Sequence, residues 1–133
     1  MYFTTAFVTA IATAGLALGA PALEERFTSG QCGLHVTQYQ KNEDGNGGQY
    51  SFTVQVKDAI GAIIGGVDHV AVADYSSLSI ASQLPSVVVL SAGAADSDPV
   101  TFAYNGQTFS SSSGCSTGGY DSGSRQMDCG FSC

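Results

Sequence analysis

Residues 50–58, YSFTVQVKD, carry the clearest order in this chain: Tyr50, Phe52, Val54 and Val56 alternate with Ser51, Thr53, Gln55 and Lys57. A repeat of two is the side-chain period of extended backbone, so the segment predicts a strand with one face in a core. Coiled as a helix, the same residues would scatter their apolar groups around the axis. Residues 32–40, CGLHVTQYQ, alternate in the same way, with Cys32, Leu34 and Val36 against His35, Thr37 and Tyr39. Between the two, residues 41–49 (KNEDGNGGQ) are polar and glycine-rich and predict a loop.

Shorter patterns follow. Residues 59–61 turn the chain so that Ala62, Ile63 and Ile64 return beside the preceding strand, and Gly65 and Gly66 are expected to end that return. Residues 67–74 (VDHVAVAD) and 76–82 (SSLSIAS) predict two further strands. Pro85 has no N–H to give to a ladder, which excludes it from a central strand position. The run VVVL after it predicts a strand buried on both faces. Residues 92–99 form an acidic loop. Asn105-Gly106, flanked by VTFAY and QTFSS, is a type I′ turn signal whose twist matches paired strands, so residues 100–111 predict an antiparallel hairpin. In the tail, GGYDSGS reads as a loop and residues 124–131 as a final strand. About eight short strands without repeat or heptad predict an all-β fold, a single-domain antiparallel β-sandwich or small barrel.

The beginning of the chain has another character. Residues 1–22 carry no charge, include an apolar run over 6–18 and end in Ala20-Pro21-Ala22, the layout of a signal peptide. The run is shorter than the roughly 20 residues of a spanning helix. Residues 23–31 are expected to be a flexible segment with a weak processing motif after Arg26, and residues 32–133 the β domain. Four Lys and Arg against 11 Asp and Glu give a net charge of −7. Such a chain lacks the clustered cations that hold a phosphate backbone or an anionic bilayer, which argues against nucleic acid and against membrane insertion once the signal is removed.

Residues 115–133 hold Cys115, Cys129 and Cys133, whereas Cys32 stands far upstream. Pairing all four thiols therefore sends at least one disulfide back to Cys32. Two arrangements keep a second bond inside the tail: Cys115–Cys129 with Cys32–Cys133, which is favoured, or Cys115–Cys133 with Cys32–Cys129. Joining Cys129 to Cys133 across three residues is sterically tight. Zinc ligation is the competing use of these cysteines, but Cys32 and Cys115 stand alone and an export signal implies an oxidising compartment. Closing about 100 residues restricts the unfolded chain by roughly 4 to 5 kcal/mol, and closing about 15 by roughly 3.

Catalytic chemistry finds little support in the residue pattern. A Ser-His-Asp arrangement needs a histidine between hydroxyl and carboxylate, and only His35 and His69 are present. His69 follows Asp68 in a predicted strand, which sends the two side chains to opposite faces. There is no G-x-S-x-G elbow, the acids sit beside glycine and serine as solvated residues do, and Asp96 and Asp98 lack the spacing of a calcium loop. No catalytic, cofactor-binding or metal-ligating residue is singled out, and no cofactor is expected. Tyr39, Tyr75 and Tyr120, on or near loops, are the candidate recognition residues, because tyrosine offers a flat apolar face and a hydrogen-bonding tip.

Taken together, the signal-like leader, CGLHVTQYQ, YSFTVQVKD with the DAIGAIIG that continues it, and the terminal CGFSC resemble the small secreted four-cysteine proteins of ascomycete fungi. The resemblance covers residues 32–133 in outline and rests on cysteine placement and strand pattern. It implies a non-enzymatic effector or elicitor of plant cell death or defence, secreted to the apoplast and perceived by a plant cell-surface receptor or another extracellular protein. It supplies no catalytic residues. The alternative expectation is an extracellular carbohydrate-binding or cell-wall-associated β module with a cell-wall glycan as partner.

Overall fold

The structure is a computed structural model that describes residues 27–43, 45 and 47–133. The expected signal peptide and the processing site after Arg26 lie outside the described residues. Among those described there are nine strands and no helix, hence no helix long and apolar enough to cross a membrane. β1 (Gln31–Tyr39), β2 (Tyr50–Lys57), β3 (Ile63–Val72), β8 (Cys115–Thr117) and β9 (Ser124–Ser132) form one antiparallel sheet in the order β3-β2-β1-β9-β8. β4 (Ser77–Ile80), β5 (Val88–Ser91), β6 (Thr101–Tyr104) and β7 (Gln107–Ser110) form a second in that order.

The two sheets pack as a sandwich because β1, β2, β5, β6 and β9 place their alternate apolar residues on one face. Leu34 and Val36 of β1, Phe52, Val54 and Val56 of β2 and Met127 and Phe131 of β9 share one buried core with Ile80, Val88, Leu90, Phe102 and Tyr104. At roughly 1.5 to 3 kcal/mol for each fully buried large side chain, this shared layer is the main reason the sheets stay together. Phe131 bridges them directly, with Tyr104 at 5.0 Å and Phe109 at 5.8 Å between ring centroids.

Both disulfides follow the favoured pairing. Cys115 and Cys129 are register partners across β8 and β9, and Cys32 joins Cys133 over 101 residues. The Asn105-Gly106 hairpin forms as read: φ is 47° at Asn105 and 83° at Gly106, the positive pair that a type I′ turn demands.

Three expectations need correction. Gly65 and Gly66 do not end a strand; β3 runs through them for ten residues. Their smallness serves close approach: a Cβ on Gly65 would overlap Ser82, and one on Gly66 would overlap the Val54 carbonyl. Here the chain pairs with the segment after β4, through Gly66 N to Ala81 O at 3.1 Å and Gln83 N to Ile64 O at 2.9 Å, closing one flank of the sandwich. Second, the VVVL run is buried on one face only. Val88 and Leu90 enter the core, Val89 is half-buried on the outer face and Val87 is exposed. Third, the short strand β8 was not anticipated; the Cys115–Cys129 bond holds it against β9.

Strand directions give the sandwich two distinct ends. Residues 40–49, 73–76, 92–100 and 118–123 gather at one, the loop end. Residues 27–30, 58–62, 81–87, 105–106 and Cys133 gather at the other, the stapled end.

Candidate functional site

At the loop end, hydrophobic alternation gives way to a polar network that joins both sheets. Tyr50 opens β2 with its ring buried, and its hydroxyl donates to Asp96 Oδ1 at 2.6 Å. Gln40 Nε2 donates to the other oxygen of Asp96, also at 2.6 Å. Lys41 Nζ caps the Ala94 carbonyl at 2.8 Å, pairs with Asp74 at 2.9 Å and sits 5.2 Å from the centre of the Tyr50 ring. Burial first, then the bond to Asp96, pushes the Tyr50 phenol far above its ordinary pKa. Asp98 accepts the backbone N–H groups of Ala94 and Ala95 at 2.8 and 3.0 Å. Those bonds, helped by Lys41, hold its carboxyl below the usual range. Gln40, Lys41, Glu43, Tyr50 and Asp96 line an open cleft of about 330 Å³.

Beneath it, inward-facing Arg125 of β9 donates from Nε to Gln38 Oε1 at 2.8 Å and lies over the Tyr120 ring, 4.7 Å from its centre. Burial raises the Tyr120 phenol while Arg125 lowers it, and burial prevails. Tyr120 Oη and Arg125 Nη2 are buried with no hydrogen-bonding partner among the described residues.

All three tyrosines expected to mediate recognition fall at this end, in different settings. Tyr75 occupies the turn between β3 and β4, closed by Ser76 N to Ala73 O at 3.1 Å, with φ at 58° and the side of the residue turned to water, 79% exposed. Tyr120 folds inward onto Arg125. Tyr39, the last residue of β1, lies on the outer face of the five-stranded sheet with its ring stacked on His69, 4.2 Å between centroids.

That outer face overturns the expectation that Asp68 and His69 point to opposite sides. Phe52 pairs with Val70 and Val54 with Val67, so Thr53 alone opposes both Asp68 and His69 in a β-bulge, with His69 at φ 49°. Thr53 Oγ1 donates to Asp68 at 3.2 Å, accepts the His69 backbone N–H at 3.0 Å and lies 3.3 Å from the Tyr39 hydroxyl. Sequence alternation could not show this, because the extra residue resets the side-chain period. Along the same face His35 Nδ1 meets Asp128 Oδ1 at 2.7 Å. A cleft of about 400 Å³ runs between Thr53, Gln55, Gly65, Gly66 and Asp68.

As a catalytic arrangement this falls short: Asp128 stands in register between His35 and Ser116, so the carboxylate, not the imidazole, is next to the hydroxyl. Among the described residues no three His, Cys, Asp or Glu side chains converge as a metal site would require. No family model, curated protein or solved structure matches the chain.

Proposed function

We propose that this is a secreted, non-enzymatic recognition protein, perceived at the plant cell surface as an elicitor of cell death or defence, with the loop end as its contact surface. One observation carries the reading: Tyr75 is held out in water on a defined turn beside the Lys41–Asp74 pair, an exposed aromatic of the type enriched at recognition hot spots. Two disulfides in so small a chain suit an oxidising, extracellular setting. The experiment is infiltration of the purified, folded protein into leaves of several plant hosts. Cell death or defence at micromolar dose is expected, together with loss of the response in Tyr75→Ser at unchanged circular dichroism. Silence in every host would sink the proposal.

A second reading, an extracellular carbohydrate-binding or cell-wall-associated module, is favoured by the Tyr39–His69 ring pair beside hydrogen-bonding side chains. Sedimentation with chitin, cellulose and glucan particles separates the two, since an elicitor has no need to be captured by any of them.

A further inference from the structure

We infer that the outer face of the five-stranded sheet, centred on Tyr39, His69 and Thr53, is a binding site for an uncharged linear glycan. The inference rests on the second reading above and assigns its site and ligand class. Its starting point is the conformation of His69. A side chain-bearing residue at φ 49° is disfavoured, and glycine would occupy the position freely. What histidine contributes there is its ring, which the bulge turns flat onto Tyr39 with 21° between the planes. In that stack each ring covers one face of the other, and the more exposed His69 presents the open face as a fixed aromatic platform. Thr53 holds it in place by contacting Asp68, the His69 backbone and the Tyr39 hydroxyl at once.

Around the platform the chemistry is that of sugar hydroxyls. Thr37, Gln55, His35, Gln126 and Asp128 occupy outward positions of β1, β2 and β9 in register. Successive outward residues on one strand stand about 6.6 Å apart and neighbouring strands about 4.8 Å apart, so donors and acceptors form a grid along which an extended chain can lie. The cleft between Gln55 and Asp68, with Gly65 and Gly66 at its edge, gives one unit room to sink below the surface. Charge points the same way. The face carries Lys57, Asp68 and Asp128, the last already engaged by His35, so neither a polyanion nor a polycation is matched. Apolar peptide is no better fit, because exposed Ile60, Tyr75 and Val87 lie off this face and Ile63 only at its stapled margin.

The test titrates isotope-labelled protein with soluble cello-, laminari- and chito-oligosaccharides and maps amide shifts, alongside sedimentation with the particulate polymers. One of these neutral glycans should perturb Tyr39, Thr53, Gln55, Asp68 and His69, and Tyr39→Ala should weaken binding about tenfold or more. His69→Gly is the decisive variant: glycine accepts the backbone angle, so the fold is kept and the melting temperature holds or rises, while the platform loses a ring and affinity falls by a similar factor. Wild-type affinity in His69→Gly, or shifts confined to residues 40–49, 73–76, 92–100 and 118–123, would overturn the site. If particles still capture the protein in that event, the module reading survives without this site. No shifts and no capture would remove both. The leaf response is scored separately and is independent of either result.

Discussion

The two ends of this sandwich are built from the same strands and held by different forces. At the stapled end Cys32 is bonded to Cys133, Gly30 and Cys133 exchange backbone hydrogen bonds at 3.2 and 2.9 Å, and Gln107 clamps the backbone of Ser132 at 2.7 and 2.9 Å. Asp58 completes it by accepting the N–H groups of Thr28, Ile60 and Ala62. Toward this end the interior is aromatic, with Phe131 against Tyr104. At the loop end the interior turns polar, with buried Gln38 on Arg125, and the loops are joined by Lys41, Asp74 and Asp96. One end is therefore fastened by a disulfide, by backbone bonds and by two side chains that bond backbone groups, and its covalent link is one that salt does not undo. The other is fastened through side chains that salt screens and that change one at a time. Under the proposed extracellular recognition role, this division would keep the fold intact while the surface varies.

The sharpest way to break the contrast is to unfasten the stapled end. Replacing Cys32 and Cys133 together by serine should lower stability by about 4 to 5 kcal/mol, because the bond closes 101 residues. Cys115 and Cys129 close only 14, so their removal should cost about 3 kcal/mol. Denaturant unfolding measures both. Limited proteolysis adds a positional readout: without the longer bond, cleavage should begin near residues 27–31, where β1 enters the sheet. Equal losses in the two variants, or unchanged digestion, would contradict the assignment.

Much of the stapled end was legible in the chain, and much less of the loop end was. Alternation in residues 50–57 and 32–39 and the Asn105-Gly106 turn are local signals, and each led to the observed strand or hairpin, while the placement of the four cysteines favoured the observed pairing. The ring pair was not legible, because it depends on a bulge in which Thr53 faces two residues, and alternation assumes that none is inserted. Gly65 and Gly66 looked like a strand end since glycine usually interrupts; here it admits the Ser82 and Val54 backbones, which only the tertiary fold brings near. The Tyr50–Asp96–Gln40 contacts span 46 and 56 positions and leave no periodic trace. Val87 and Val89 were misjudged because the run alone does not say that the four-stranded sheet has a free outer face.

Acid probes the stapled end next. The three backbone bonds, the one from Thr28 foremost, hold Asp58 below the ordinary aspartate value even though burial works against them. A carboxyl with a depressed folded-state pKa contributes stability that is complete above its unfolded value, roughly 4, and is lost as pH falls through the folded one. Asp58→Asn should therefore lower the melting temperature at neutral pH by less than the loss of the Cys32–Cys133 bond does, and flatten the acid limb below about pH 4. The slope that remains belongs partly to the loop end, where Asp98 is depressed by Ala94 and Ala95. An acid limb as steep as that of the unaltered chain would show that Asp58 is not a main anchor.

The smallest expected effect tests the loop end on its own terms. Lys41→Met keeps most of the apolar stem but removes the ion pair to Asp74, the bond to the Ala94 carbonyl and the charge over Tyr50. Each contact is half-exposed, so the total should be about 1 kcal/mol, within reach of a denaturant midpoint shift. Its diagnostic property is its dependence on salt. Raising ionic strength from about 0.02 to 1 M shortens the screening length several-fold and should shrink the difference between Lys41→Met and the unaltered chain. The serine variant of Cys32 and Cys133 should keep its deficit under the same change, since screening does not act on chain entropy. If both differences moved together with salt, the ends would not be held by separate kinds of force. A loop end that alone responds would leave the charged surface around Tyr75 free to vary without endangering the fold beneath it.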